Sequence, residues 1–325
     1  SIVLSLGGFT SYCLIEKTAK LTSFYKKGDW MERLSELEAK IFAGMLKLVK
    51  PYLAGESVEE MRLSQERACA LIPSPAGVKV EDCEYCGIPA QWIRPKSIKQ
   101  DKIMLYFHGG AYVAGNLKSS RGLGAKLADV CGLGVLSFEY RLAPEYPYPA
   151  ALEDAMSMYK ALLEADIDAK SVIFAGESAG GGLLLASALK AKEEGLPLPC
   201  GLAAMSPWTD LAFTGESVEL EDRDPVLGVE SLKNSARMYI GGDRADNPYI
   251  SPFYGEFSGL PPVLLQVGDR EILLSDSTRL KDKIDKAGGS VKLSIWEDMW
   301  HVFQAYGLPQ SRQALEEIAE FTAAL

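Results

Sequence analysis

Histidine is nearly absent from this chain: there are two in 325 residues, His108 and His301. Any reaction at neutral pH that needs an imidazole must therefore use one of them. No group of ligating residues stands at metal-site spacing, and no glycine-rich nucleotide loop is followed by a lysine, so no metal or cofactor is expected. Basic residues are outnumbered 34 to 44, a net charge of −10. Such a surface repels phosphate backbones and argues against nucleic acid as a partner. Apolar runs are short, and none reaches the roughly 18 residues of a membrane helix. The uncharged stretch Ser1–Ile15 is broken by Ser, Thr and Gly and has neither a basic start nor a small-residue cleavage site. It is read as a packed segment rather than a leader. Six cysteines in a chain this long make no disulfide framework. The pair in Cys83-Glu84-Tyr85-Cys86 has no second pair and no nearby His, as a zinc site would require. A globular, cytoplasmic protein is expected, and 47% hydrophobic residues suffice for a large core.

The first part of the chain reads as helical. Between Trp30 and Lys50, Leu34, Leu37, Ile41, Met45 and Leu48 recur at intervals of three and four, and Pro51 should end the helix. Ser57-Val58-Glu59-Glu60 fits a capping box opening a second helix that ends near Ile72-Pro73. After Pro75 short apolar strands take over: Val78–Tyr85, Ala90–Ile93, Lys102–Phe107, Gly134–Phe138, Ser171–Ala175, Leu202–Met205, Val263–Val267 and Val291–Trp296. Helices follow at Ala179–Glu194, Ser275–Ala287 and Pro309–Ala324. Apolar strands alternating with helices indicate an α/β fold, a mostly parallel sheet covered on both faces, with ligands at the carboxyl ends of the strands. Residues 1–75 are taken as a helical cap and 76–325 as the catalytic domain. The irregular stretch from 211 to 242 is assigned to the cap from its position.

The chemistry-bearing motifs fall at those strand ends. Gly176-Glu177-Ser178-Ala179-Gly180 lies between a strand and a helix, where Gly-x-Ser-x-Gly exposes a nucleophilic serine on a tight turn. Side chains two residues either side would clash, so glycines stand there. His108-Gly109-Gly110-Ala111 follows another strand, and the N–H groups of Gly109 and Gly110, with that of Ala179, are candidates for holding an oxyanion. His108 is read as shaping its own loop. His301, after the last strand, is then the candidate base. The partner carboxylate should follow Val263–Val267, where Asp269, Glu271 and Asp276 all qualify on spacing. Trp208, Phe213, Tyr239, Tyr249, Phe253 and Tyr254 gather in the lid-like part and could line an acyl pocket, and Tyr112, beside the oxyanion loop, is the favoured pocket wall together with Trp208.

Six ordered segments together resemble the bacterial hormone-sensitive-lipase family of esterases, family IV of the α/β-hydrolases. They are HGGAYVAGN at His108–Asn116, YRLAPEYPYPAALED at Tyr140–Asp154, GESAGG at Gly176–Gly181, SPWTDL at Ser206–Leu211, VGDREILLSD at Val267–Asp276 and HVF at His301–Phe303. Two positions depart from the family pattern, Ala111 and Glu177. The resemblance implies an α/β-hydrolase fold with a helical cap. It also implies a serine carboxylesterase for short- or medium-chain esters, with Ser178 as nucleophile, His301 as base and Glu271 in the acid's place. An amidase or lactonase would use the same machinery. A ligand-binding receptor on this fold would lack the base that His301 supplies. Pairing of two chains along the edge strand Val291–Trp296 is a further expectation.

Overall fold

The computed structural model describes residues 29–53, 57–70 and 72–325; the segment Ser1–Ile15 lies outside them. Eight strands form one sheet in the order β1-β2-β4-β3-β5-β6-β7-β8. The strands are β1 (Lys79–Tyr85), β2 (Ile88–Arg94), β3 (Ile103–Phe107), β4 (Gly134–Phe138), β5 (Val172–Glu177), β6 (Gly201–Met205), β7 (Val263–Gly268) and β8 (Val291–Trp296). The first two pair antiparallel with each other, and β2 with β4; every later pairing is parallel.

The period-two alternation of buried strands divides the core. On β3, Leu105 and Phe107 join one apolar cluster, while Met104 and Tyr106 join the other. The first cluster is covered by α4 (Ala150–Glu164), α5 (Ala179–Glu193) and α7 (Leu274–Lys286). The second is covered by α3 (Leu117–Cys131) and α8 (Pro309–Ala324). Between β6 and β7 lies one further α-helix, α6 (Val229–Ile240).

The amino-terminal helices depart from expectation in detail. The first, α1, spans Asp29–Leu53 and runs past Pro51. A proline deprives a helix of one hydrogen bond but need not stop it within its last turn. The face it buries is also different. Leu37, Ile41 and Leu48 are exposed, while Ala39 and Ala43 are buried against Met299, Trp300 and Phe303. Small residues let the helix approach closely, and Phe42 stacks on Trp300 at 5.9 Å. The second helix, α2 (Val58–Cys69), opens on the expected capping box and ends before Ile72. Its Arg62 donates to the Val113 carbonyl at 2.8 Å, and its Gln65 to that of Gly109 at 3.3 Å. Both helices thus rest on loops at the carboxyl ends of the strands.

Candidate active site

Ser178 sits between β5 and α5 with φ 56° and ψ −124°, a conformation that costs a non-glycine residue of order 1–3 kcal/mol. The turn is too tight for neighbouring side chains. A Cβ at position 176 would stand 2.5 Å from the Phe107 carbonyl oxygen, and one at 180 would stand 2.0 Å from it. The serine is fixed through its backbone: its N–H donates to the Met205 carbonyl at 2.9 Å, and its carbonyl accepts from Trp208 N–H at 2.9 Å. The start of α5 at Ala179 directs the positive end of the helix dipole at this point. Ala111, Tyr112, Ser206, Asp298 and Val302 also have positive φ. Backbone strain therefore gathers at the strand ends around the serine.

The structure brings His301 and Glu271 together. His301 Nδ1 lies 3.0 Å from Glu271 Oε2, which leaves Nε2 as the free ring nitrogen. Glu271 is wholly buried, and its Oε1 accepts from Gly268 N–H at 2.6 Å and from Ser206 Oγ at 2.7 Å. Ser206 in turn accepts from Val302 N–H at 3.1 Å. One hydroxyl thereby holds the acid loop and the histidine loop together. Its neighbour Met205 holds the backbone of Ser178. Ser178 and His301 are 7% and 6% exposed. No hydrogen bond joins Ser178 Oγ to His301 Nε2 here; such bonds are often long in enzymes without substrate and tighten in the complex.

The His301 ring is held by Glu271 and by neither of the other two carboxylates. Asp276 accepts from the N–H groups of Thr209 and Asp210 at 2.6 and 2.9 Å and so pins the turn after β6. Burial pushes it up to about 7. Asp269 is only partly buried, and its backbone N–H donates to Trp296. The second histidine is also accounted for. His108 stacks on Tyr140 at 4.1 Å, and its Nδ1 lies 2.9 Å from the Gly109 carbonyl. Burial pushes its pKa down to about 4, so it is neutral at pH 7.

Two expectations need correction. Gly109 N–H is not free for a ligand oxygen, because it donates to Glu177 Oε1 at 2.7 Å. Among the described residues, the N–H groups of Gly110 and Ala111 have no such acceptor, and with Ala179 they are the amides left to face a ligand. Trp208 and Tyr112 are 0% and 1% exposed. A residue with no accessible surface lines no cavity that a substrate enters. They lie beneath the site: Tyr112 stacks on Tyr239 at 3.7 Å and sits 6.2 Å from Trp208.

Three further residues take part, of which sequence reasoning left Ser206 and Asp224 without a role. Ser206 stood in the matched SPWTDL segment, which was its only signal. Glu177 departs from the family pattern and reads from the sequence as a tie between neighbouring loops; its partners are Gly109 and Tyr106. Asp224 accepts from the N–H of Ile272, next to Glu271, at 3.1 Å, and its carbonyl accepts from Lys50 of α1 at 3.0 Å.

Residues 104–305 match the family model described as the α/β-hydrolase fold. An esterase of Acinetobacter venetianus is 35% identical over 80% of this chain and 87% of its own length. An acetyl-hydrolase of Streptomyces hygroscopicus is 38% identical over 81% and 89%. Among solved structures, a hormone-sensitive lipase from a metagenome library superimposes with TM-score 0.84 at 39% identity, covering 88% of this chain and 97% of that one.

Proposed function

Because the chain belongs to the bacterial hormone-sensitive-lipase family of α/β-hydrolases and is a carboxylic ester hydrolase, we propose that it cleaves short- to medium-chain acyl esters through an acyl-enzyme on Ser178. The observation that carries this reading is the buried Glu271–His301 pair, held by Ser206 beside the strained serine turn. Ser178 Oγ attacks the acyl carbon as His301 Nε2 takes its proton. Glu271 fixes the tautomer and stabilises the imidazolium. The carbonyl oxygen gains the negative charge and accepts from the N–H groups of Gly110, Ala111 and Ala179, each donor being worth about 10²–10³ in rate. Collapse expels the alcohol, which leaves with the proton from Nε2. Water then repeats the sequence on the acyl-enzyme.

The relatives are named for ester and acetyl hydrolysis, so amide or lactone cleavage and a non-catalytic receptor are not favoured. The narrow exposure of Ser178 and His301 supports small acyl groups. In a series of p-nitrophenyl esters, kcat/KM is expected to be highest between acetyl and hexanoyl and at least about tenfold lower for dodecanoyl. A maximum at dodecanoyl would contradict the reading.

Helices α1 and α2, with residues 211–242, serve as the cap. Among the described residues no helix is long and apolar enough to cross a membrane. Cys69, Cys83, Cys86, Cys131 and Cys200 are free thiols, which supports a reducing, cytoplasmic setting. The outer strand β8 leaves Ile295 half exposed. Pairing of two copies along it predicts a light-scattering mass of about twice the chain's 35.4 kDa, and a single-chain mass would reject it.

A further inference from the structure

The residue before the nucleophile has a task that the triad does not explain. Glu177 is the last residue of β5, and its two carboxylate oxygens are both engaged. Oε1 accepts from Gly109 N–H at 2.7 Å, and Oε2 accepts from the hydroxyl of Tyr106, which rises from β3. Tyr106 is fully buried, so neither partner is open to solvent replacement. The Gly109 carbonyl is held from the other side by Gln65 Nε2 of the cap helix. Both backbone polar groups of Gly109 are thus held. The next two residues, Gly110 and Ala111, carry the free amides; Gly110 takes φ 128°, which a glycine adopts freely, and Ala111 takes φ 53°, which strains a residue with a Cβ. A strained segment keeps its shape only where its surroundings over-determine it.

Space is equally tight. A Cβ on Gly109 would come 3.1 Å from the Glu177 carbonyl oxygen and 3.2 Å from Ser178 Cβ. The loop therefore lies directly on the nucleophile's turn, and any shift of Gly109 shifts the two amides after it.

We infer that Glu177 is a positioning residue for the oxyanion hole: by holding Gly109 N–H and the Tyr106 hydroxyl it fixes the 109–111 loop so that the Gly110 and Ala111 amides face the carbonyl oxygen of an ester on Ser178. The inference rests on the ester-hydrolase reading above. Burial also pushes the Glu177 carboxyl up to about 7. The protonated acid still offers Oε1 to Gly109, so the grip does not depend on charge.

The test compares two replacements of similar size, Glu177→Gln, which keeps an acceptor, and Glu177→Met, which does not. Two readouts are needed: kcat and KM on p-nitrophenyl acetate, and the inhibition constant of a trifluoromethyl ketone, whose hemiketal oxygen occupies the oxyanion position. Glu177→Met is expected to lower kcat about 10²-fold, the cost of misplacing a catalytic group by about 1 Å, with KM within about threefold, and to raise the inhibition constant in step. Glu177→Gln should stay within about fivefold of the wild type in both. A Glu177→Met enzyme that keeps its kcat overturns the inference. So does one whose kcat falls while ketone affinity is unchanged, or a Gln variant as damaged as the Met variant. Should Glu177→Met not fold, Tyr106→Phe carries the test. It removes one of the carboxylate's two anchors and should lower kcat/KM and ketone affinity together by at least about threefold; no change in either would overturn the inference. An unmodified enzyme inert toward every ester in the acyl series would instead defeat the ester-hydrolase reading itself.

Discussion

Ser178→Ala is expected to abolish ester turnover, with kcat on p-nitrophenyl butyrate falling about 10⁶-fold, the loss found when a triad nucleophile is deleted. The reason is mechanistic rather than structural. On the proposed mechanism no acyl-enzyme can form without Oγ, and the amides of Gly110, Ala111 and Ala179 would only stabilise direct attack by water. The fold should survive. The backbone of residue 178 is held by Met205 and Trp208, and neither bond involves the hydroxyl. The strained φ of 56° is as accessible to alanine as to serine. Circular dichroism and the melting temperature should therefore stay close to those of the wild type. Undiminished hydrolysis by a folded Ser178→Ala protein would refute the assignment.

The three carboxylates after β7 should separate cleanly under substitution. Glu271→Ala is expected to lower kcat/KM about 10⁴-fold, because His301 loses the partner that sets its tautomer and compensates its positive charge. Glu271→Gln should fall nearly as far, since an amide cannot balance the imidazolium. Glu271→Ala should also lose stability, as Gly268 N–H and Ser206 Oγ are buried donors aimed at Oε1, whereas the amide oxygen of Gln can still accept from both. An unsatisfied buried donor costs about 1–3 kcal/mol. Asp276→Ala should show the opposite balance. It leaves the Thr209 and Asp210 amides without their acceptor, so the melting temperature drops while kcat/KM stays within about tenfold. Asp269→Ala should do little to either. Kinetics and thermal melts on the four variants decide it, and a larger activity loss at 269 or 276 than at 271 would show that another carboxylate serves His301.

Much of this arrangement could be read from the chain because the motifs sit where strands end. Apolar runs such as Gly134–Phe138 and Val291–Trp296 coincide with β4 and β8. The Gly-x-Ser-x-Gly turn joins a strand to a helix, where its glycines are forced by the Phe107 carbonyl. The central sheet and its order of motifs follow from such local rules. The helices α3, α4 and α6 were not delimited, although Asn116 and Ser119 form a capping box that a search for Ser or Thr before Glu passes over.

What local rules could not supply was tertiary. Whether Gly109 N–H faces a ligand or a neighbour depends on a side chain 68 residues away. Spacing cannot reveal that. The stripe of Leu37, Ile41 and Leu48 has ordinary amphipathic periodicity, yet the packed face is the one with Ala39 and Ala43. Trp300 and Phe303 need close approach there, and small side chains permit it. Trp208 and Tyr112 were placed at the pocket because they are aromatic and near the motifs. Proximity in sequence did not distinguish a wall from the foundation under it.

The central claim is that one nucleophilic hydroxyl is activated by one imidazole. It is met most directly by labelling the intact enzyme with diethyl p-nitrophenyl phosphate and mapping the adduct by peptide mass spectrometry. The account predicts a single diethylphosphoryl group per chain, on the peptide that contains Ser178, formed far more slowly when His301 is replaced by alanine. An adduct on any other residue, or labelling of Ser178 at an undiminished rate without His301, would contradict it.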